Sequence, residues 1–122
     1  MIEAIIFDMD GLLIDSEPLW REALVEVFNG AGLQITQEQF QVTMGMPTPD
    51  VVRYWCAKHA SHNKLVEEII QELNITAHRF IAERGKARAG AYEILEFFKD
   101  KKLPLAIASS STMHLIDIVV DK

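Results

Sequence analysis

Apolar positions along this chain fall into short runs and helical rows separated by turn signals. Residues 2–7 are an apolar run too short for a typical helix and predict a buried strand. Behind it, Asp15 and Ser16 are N-cap types, and Pro18 suits an early helical position. Leu19, Ala23 and Val27 form one i,i+4 row and Trp20, Leu24 and Phe28 the adjacent one, until Gly30 and Gly32 supply stop signals. A second short helix is predicted from Thr36, where Thr36-Gln37-Glu38-Gln39 has the form of a capping box, and Met44-Gly45-Met46-Pro47 breaks it. A third takes Thr48 as cap and Pro49 at its first position, carrying Val52, Trp55 and Cys56. The fourth begins near Asn63, carries Leu65, Ile69, Ile70, Leu73, Ala77, Phe80 and Ile81, and ends towards Gly85.

The rest of the chain returns to an alternating α/β pattern. A helix from residue 91 to about 101 bears Ile94, Leu95 and Phe98 and should lean on a sheet, residues 104–108 form a second strand, and a helix from Thr112 places Leu115, Ile116 and Val119 on one face. The expected fold class is therefore α/β. A Rossmann-like parallel-sheet core, incomplete in this chain, holds an inserted four-helix segment, with the core at 1–14 and 86–122 and the insertion at 15–85. Two parallel strands do not make a stable doubly wound sheet, which needs more strands and helices on both faces. The expectation is thus that this sequence is part of a longer chain.

Composition narrows the partners. Apolar residues at 49% and charged residues at 25% of 122 are the balance of a water-soluble globular protein. The net charge of −6 argues against nucleic acid and anionic membrane surfaces, so an anionic small molecule would need local help from a metal and backbone donors. Cys56 has no second cysteine to pair with, which fits a cytoplasmic location. No secretory leader and no membrane span is expected.

Two carboxylates, Asp8 and Asp10, stand one residue apart at the end of the first strand, with Gly11 directly behind. Ligand sites of open α/β sheets lie at the carboxyl ends of strands. If the extended backbone persists, both acids share a face, and like charges that close repel unless a cation or shared proton relieves them. A hard divalent cation with oxygen ligands, Mg²⁺, answers that need. A strand-ending turn made by Asp and Gly is the plainer alternative, and a nucleotide-sugar Asp-x-Asp site another. An EF-hand loop is disfavoured, since Leu12, Leu13 and Ile14 fall where polar ligands belong.

The run Phe7-Asp8-Met9-Asp10-Gly11-Leu12-Leu13-Ile14-Asp15-Ser16-Glu17 closely resembles the first motif of the haloacid-dehalogenase superfamily of phosphatases and phosphomutases. Leu105-Ala106-Ile107-Ala108-Ser109-Ser110-Ser111 resembles its second, a strand ending in a phosphate-binding Ser or Thr. A helical insertion between them is the arrangement of the subfamily with a small helical cap. The resemblance implies Asp8 as nucleophile and Mg²⁺ ligand, and Asp10 as general acid and then base, with a metal contact usually made through its backbone carbonyl. It also implies that Gly11 lets the backbone approach the phosphate, and that Ser109, helped by Ser110 and the following turn, binds the phosphoryl group. Ser111 is the expected cap of the next helix. The implied activity is Mg²⁺-dependent hydrolysis of a small sugar phosphate, with a cap that closes to exclude water.

Related mutases carry an arginine in the loop matching Gly45-Met46-Pro47-Thr48 and a histidine near Trp20; both are missing, which favours a phosphatase over a mutase. The segment around Trp20 and residues 46–55 look most like bacterial phosphatases of 2-deoxyglucose 6-phosphate and related hexose or hexitol phosphates. A later lysine and acidic pair of the family have no counterpart here, so the resemblance implies the N-terminal portion of a longer enzyme; a non-catalytic phosphate-binding or partner-binding fragment is the third reading, and the chain by itself is expected to turn over little. His59, His62, His78 and His114 lack ligand spacing and default to the surface, and Lys58, Lys64, Arg84, Lys86 and Arg88 to solvated charges.

Overall fold

Two three-residue strands, β1 (Ile5–Phe7) and β2 (Leu105–Ile107), pair in parallel, Ile5 opposite Leu105 and Phe7 opposite Ile107. The computed structural model describes residues 1–59 and 62–122. Among them lie five α-helices and one 3₁₀ helix besides the strands: α1 (Glu17–Gly30), the 3₁₀ helix (Gln39–Thr43), α2 (Thr48–Lys58), α3 (Val66–Arg84), α4 (Ala91–Asp100) and α5 (Met113–Val120). This is the partial parallel-sheet α/β core with a helical insertion. The strands are shorter than the apolar runs predicting them. Ile2 lies outside the ladder at 67% exposure. Pro104 contributes only its carbonyl, which accepts from the Ile5 N–H at 2.9 Å.

The chain divides into two compact units, one formed by Met1–Glu17 with Ile81–Lys122 and the other by Pro18–Phe80. In the second unit the predicted helical rows become the core: Ala23, Val27 and Phe28 from α1, Val52 and Trp55 from α2, and Ile69, Leu73 and Ala77 from α3 are buried together. Phe40 joins Phe28 and Trp55 at ring-centroid distances of 5.7 and 6.2 Å.

The helix predicted from Thr36 is only a 3₁₀ turn. Its capping box forms, with the Thr36 N–H donating to Gln39 Oε1 at 2.8 Å and the Gln39 N–H to Thr36 Oγ1 at 3.3 Å. Few residues follow before Gly45, whose φ of +83° ends the segment, and so short a stretch cannot offset the cost of nucleating an α-helix. Phe40 and Thr43, three apart and both buried, match the 3₁₀ repeat instead. Helix α2 starts on Thr48 itself, with Pro47 at the capping position and no side-chain cap bond. Helix α3 starts at Val66, later than Asn63, where the Glu68 carboxylate accepts the Leu65 N–H at 2.9 Å.

In the first unit Phe7, Leu13 and Ala91 are buried, with Ile5, Ala87, Leu95, Phe98 and Ile107 packed against them. Phe98 of α4 meets Phe7 edge to face at 6.2 Å and Leu95 packs on the same cluster, so α4 leans on the sheet by two of the three residues its pattern marked, while Ile94 is exposed. Ile6 alternates to the opposite side of β1 and is 68% exposed.

Candidate active site

The site grows from a tight turn behind β1. The Met9 carbonyl accepts from the N–H groups of Leu12, Leu13 and Ile14 at 3.2, 3.0 and 3.3 Å, and the Met9 side chain is fully buried, pinning the turn. Gly11 takes φ +77° and donates its N–H to the Ile14 carbonyl at 2.9 Å. Only glycine does this without strain. The extended backbone therefore stops at Phe7, and strand alternation does not set where Asp8 and Asp10 point, as it would have if the strand continued. Asp8 is exposed, its Oδ1 accepting the Met9 N–H at 2.8 Å, while Asp10 is half-buried inside the turn.

The parallel register sets the exits of the two strands side by side, and the Ala108 N–H extends the ladder by donating to the Phe7 carbonyl at 2.8 Å. From there three hydroxyls converge on Asp10. Ser16 Oγ donates to Oδ1 at 2.8 Å, Ser111 Oγ donates to Oδ2 at 2.6 Å, and Ser109 Oγ approaches Oδ2 at 3.5 Å. Ser109 Oγ also accepts the Ser111 N–H at 3.0 Å. Ser110 is exposed.

Of the residues singled out in the sequence, Asp10 and Ser109 are brought together within one unit, and Asp8 and Gly11 flank Asp10 in the same turn. Ser111 is not the cap of α5. That place belongs to Thr112, whose side chain accepts the Leu115 N–H at 3.3 Å, and Ser111 is turned onto Asp10 instead. Sequence reading passed over Ser16 and Ser111 as polar partners of the acid. The three consecutive serines were a signal that more than one hydroxyl could reach it. No signal in the pattern marked Ser16 beyond helix capping.

His59, His62 and His78 are half-buried, against the surface expectation. His62 Nδ1 lies 2.7 Å from the Lys64 carbonyl, His78 stands edge-on to Trp20 at 6.3 Å, and His59 lies 6.2 Å from Trp55. Lys64 pairs with Glu72 at 2.7 Å and Arg88 with Asp15 at 3.4 Å.

Among the described residues no group of three or more His, Cys, Asp or Glu stands ready to hold a metal. Asp8 offers an exposed hard oxygen donor, whereas both Asp10 carboxylate oxygens are engaged by hydroxyls. Such a partial oxygen set fits Mg²⁺, which keeps several waters and takes phosphate oxygens, better than a metal needing a full protein cage.

Residues 5–121 match the model of a family described as haloacid dehalogenase-like hydrolase. Hexitol phosphatase B of Escherichia coli K12 is 32% identical over 120 residues, an alignment that covers 98% of this chain and 54% of that protein. A phosphorylated carbohydrates phosphatase of Thermotoga maritima is 34% identical over 110 residues, 90% of this chain and 50% of that one. The crystal structure of a candidate β-phosphoglucomutase from Thermotoga maritima superposes with a TM-score of 0.78 at 30% identity, over 98% of this chain and 55% of its own. The chain spans about half the length of the curated relatives it matches.

Proposed function

Because the chain belongs to the haloacid dehalogenase-like hydrolase family, we propose that it carries the nucleophile half of a Mg²⁺-dependent phosphatase of small sugar phosphates. The observation that supports this most is the meeting of the two strand exits at one carboxylate, Asp10 with Ser109 and Ser111. Residues 1–14 and 86–122 are the proposed core and 15–85 the proposed cap. The nearby phosphatases of hexitol phosphates and phosphorylated carbohydrates support a phosphorylated sugar or hexitol as substrate.

In this reading an Asp8 carboxylate oxygen attacks phosphorus. The new Asp8 oxygen–phosphorus bond of an acyl phosphate forms as the bond from phosphorus to the sugar oxygen breaks, and Asp10 gives that oxygen its proton. Water then attacks the aspartyl-phosphate, its proton returns to Asp10, and the Asp8 carboxylate is released with inorganic phosphate. The Met9 N–H on Asp8 Oδ1 orients the nucleophile. Gly11 leaves room for the phosphate to approach the backbone, and Ser109 and Ser110 with the N–H groups before α5 receive its oxygens. Mg²⁺ held by the Asp8 carboxylate and the Asp10 backbone carbonyl would supply positive charge to the phosphoryl oxygens. A cytoplasmic site of action belongs to the same proposal. No described helix is long and apolar enough to cross a membrane.

The decisive measurement is release of inorganic phosphate by the full-length protein from p-nitrophenyl phosphate and a hexitol phosphate in the presence of Mg²⁺. Asp8→Asn should lower it by roughly 10³-fold or more. A variant that keeps the parent rate would refute the nucleophile assignment. The structural likeness to a candidate β-phosphoglucomutase favours a second reading, a phosphomutase, in which sugar phosphate is isomerised and little free phosphate appears.

A further inference from the structure

We propose that Ser16 is a positioning residue for Asp10, holding the acid from outside the strand exit where the phosphate is to bind. The inference deepens the proposed function and rests on Asp10 being the proton donor and acceptor. The two oxygens of this carboxylate are served by different parts of the chain. Oδ2 faces Ser111 at 2.6 Å and Ser109 at 3.5 Å, both on the exit of β2 where the phosphate is to bind. Oδ1 faces Ser16 at 2.8 Å, from the segment that leads into α1.

A serine hydroxyl has one proton to give. Whatever Ser109 donates to an incoming phosphoryl oxygen it withdraws from Asp10, so substrate and acid compete for that donor. Ser16 is outside that competition. It is 0% exposed, so its hydroxyl is not open to an incoming phosphate. Its place before α1 suggests a helix cap, yet Pro18 has no N–H to give it, and its proton is committed to Asp10. The acid is thus held on Oδ1 by a serine that has no part in phosphate binding.

The consequence is selective. An alkyl phosphate leaves as a strongly basic alkoxide and depends on a well-placed proton donor, whereas p-nitrophenolate departs with far less help. In the full-length protein with Mg²⁺, Ser16→Ala should lower kcat on a hexitol phosphate by roughly ten- to a hundredfold, the range a misplaced catalytic group costs. KM should change little, and kcat on p-nitrophenyl phosphate should fall several-fold less. Ser16→Thr, which keeps the hydroxyl, should recover most of the lost rate. Ser16→Cys nearly preserves volume with a weak donor, so it should show the same selective loss and stands in should the alanine variant not fold.

Parent-like kcat on the hexitol phosphate in Ser16→Ala or Ser16→Cys, beside an impaired Asp10→Asn, would overturn the role of Ser16 and leave that of Asp10 standing. An equal loss on both substrates would also overturn it, marking a merely structural serine. Parent-like turnover of the hexitol phosphate by Asp10→Asn would remove the acid–base reading itself, and this inference with it.

Discussion

Gly11 shows how much one residue decides. Its φ of +77° is open to glycine and strained for any other L-residue, and an added Cβ would lie 3.1 Å from Glu17 Oε1. The carboxylate end of a glutamate can swing away, so backbone strain dominates. Gly11→Ala should cost about 1–2 kcal/mol, measured as a lower urea midpoint with unchanged slope. Cys56 gives a residue-scale expectation of the opposite kind, a group kept silent. Burial pushes its thiol above the ordinary value of 9.0. Because the folded state holds this proton more tightly than the unfolded one, its contribution to stability is complete below pH 9.0 and is lost as pH rises through the folded value. Alkylation by iodoacetamide at mildly alkaline pH should accordingly be far slower in the native protein than in urea, and equal rates would show that the thiol is not shielded.

At the scale of elements, capping and length compete, and the chain shows both outcomes. The capping box at Thr36 forms its two hydrogen bonds and still yields only the 3₁₀ turn, because nothing behind it is long enough to propagate an α-helix. Helix α5 is also short, and Thr112 closes its first turn through the Leu115 N–H. Thr112→Ala should therefore destabilise it by about 1 kcal/mol, visible as faster amide exchange in residues 113–120 with little change in α3. The pattern of apolar rows revealed α1, α2, α3 and α4 because the burial of a helix face is periodic. It missed the 3₁₀ character because an i,i+3 pair such as Phe40 and Thr43 fits either helix. The one-residue shift at Thr112 was hidden because serine and threonine are interchangeable as caps until tertiary contacts claim one of them.

For the molecule as a whole, the two units differ in how they bury apolar surface. The helical unit encloses its core, where Phe28 is fully buried among Phe40, Trp55 and their neighbours, and Phe28→Ala should cost about 3–5 kcal/mol in thermal or urea unfolding. The unit with the sheet leaves Ile6 at 68% and Leu105 at 38% exposure on a two-stranded ladder. The 122-residue chain should then bind a hydrophobic dye and self-associate as concentration rises, and Ile6→Lys should reduce both. Dye binding unaffected by that substitution would show that the strand is not the exposed surface.

By itself the sequence determined what local periodicity and local chemistry can encode: the helical rows, the strand before Asp8, the glycine that bends the chain behind Asp10, and the serines after β2. Only the tertiary structure decided which hydroxyls serve the acid. Ser16 is returned to Asp10 by the turn behind β1, and Ser111, 101 residues away, by the parallel register of β1 and β2, a pairing that no short-range pattern carries.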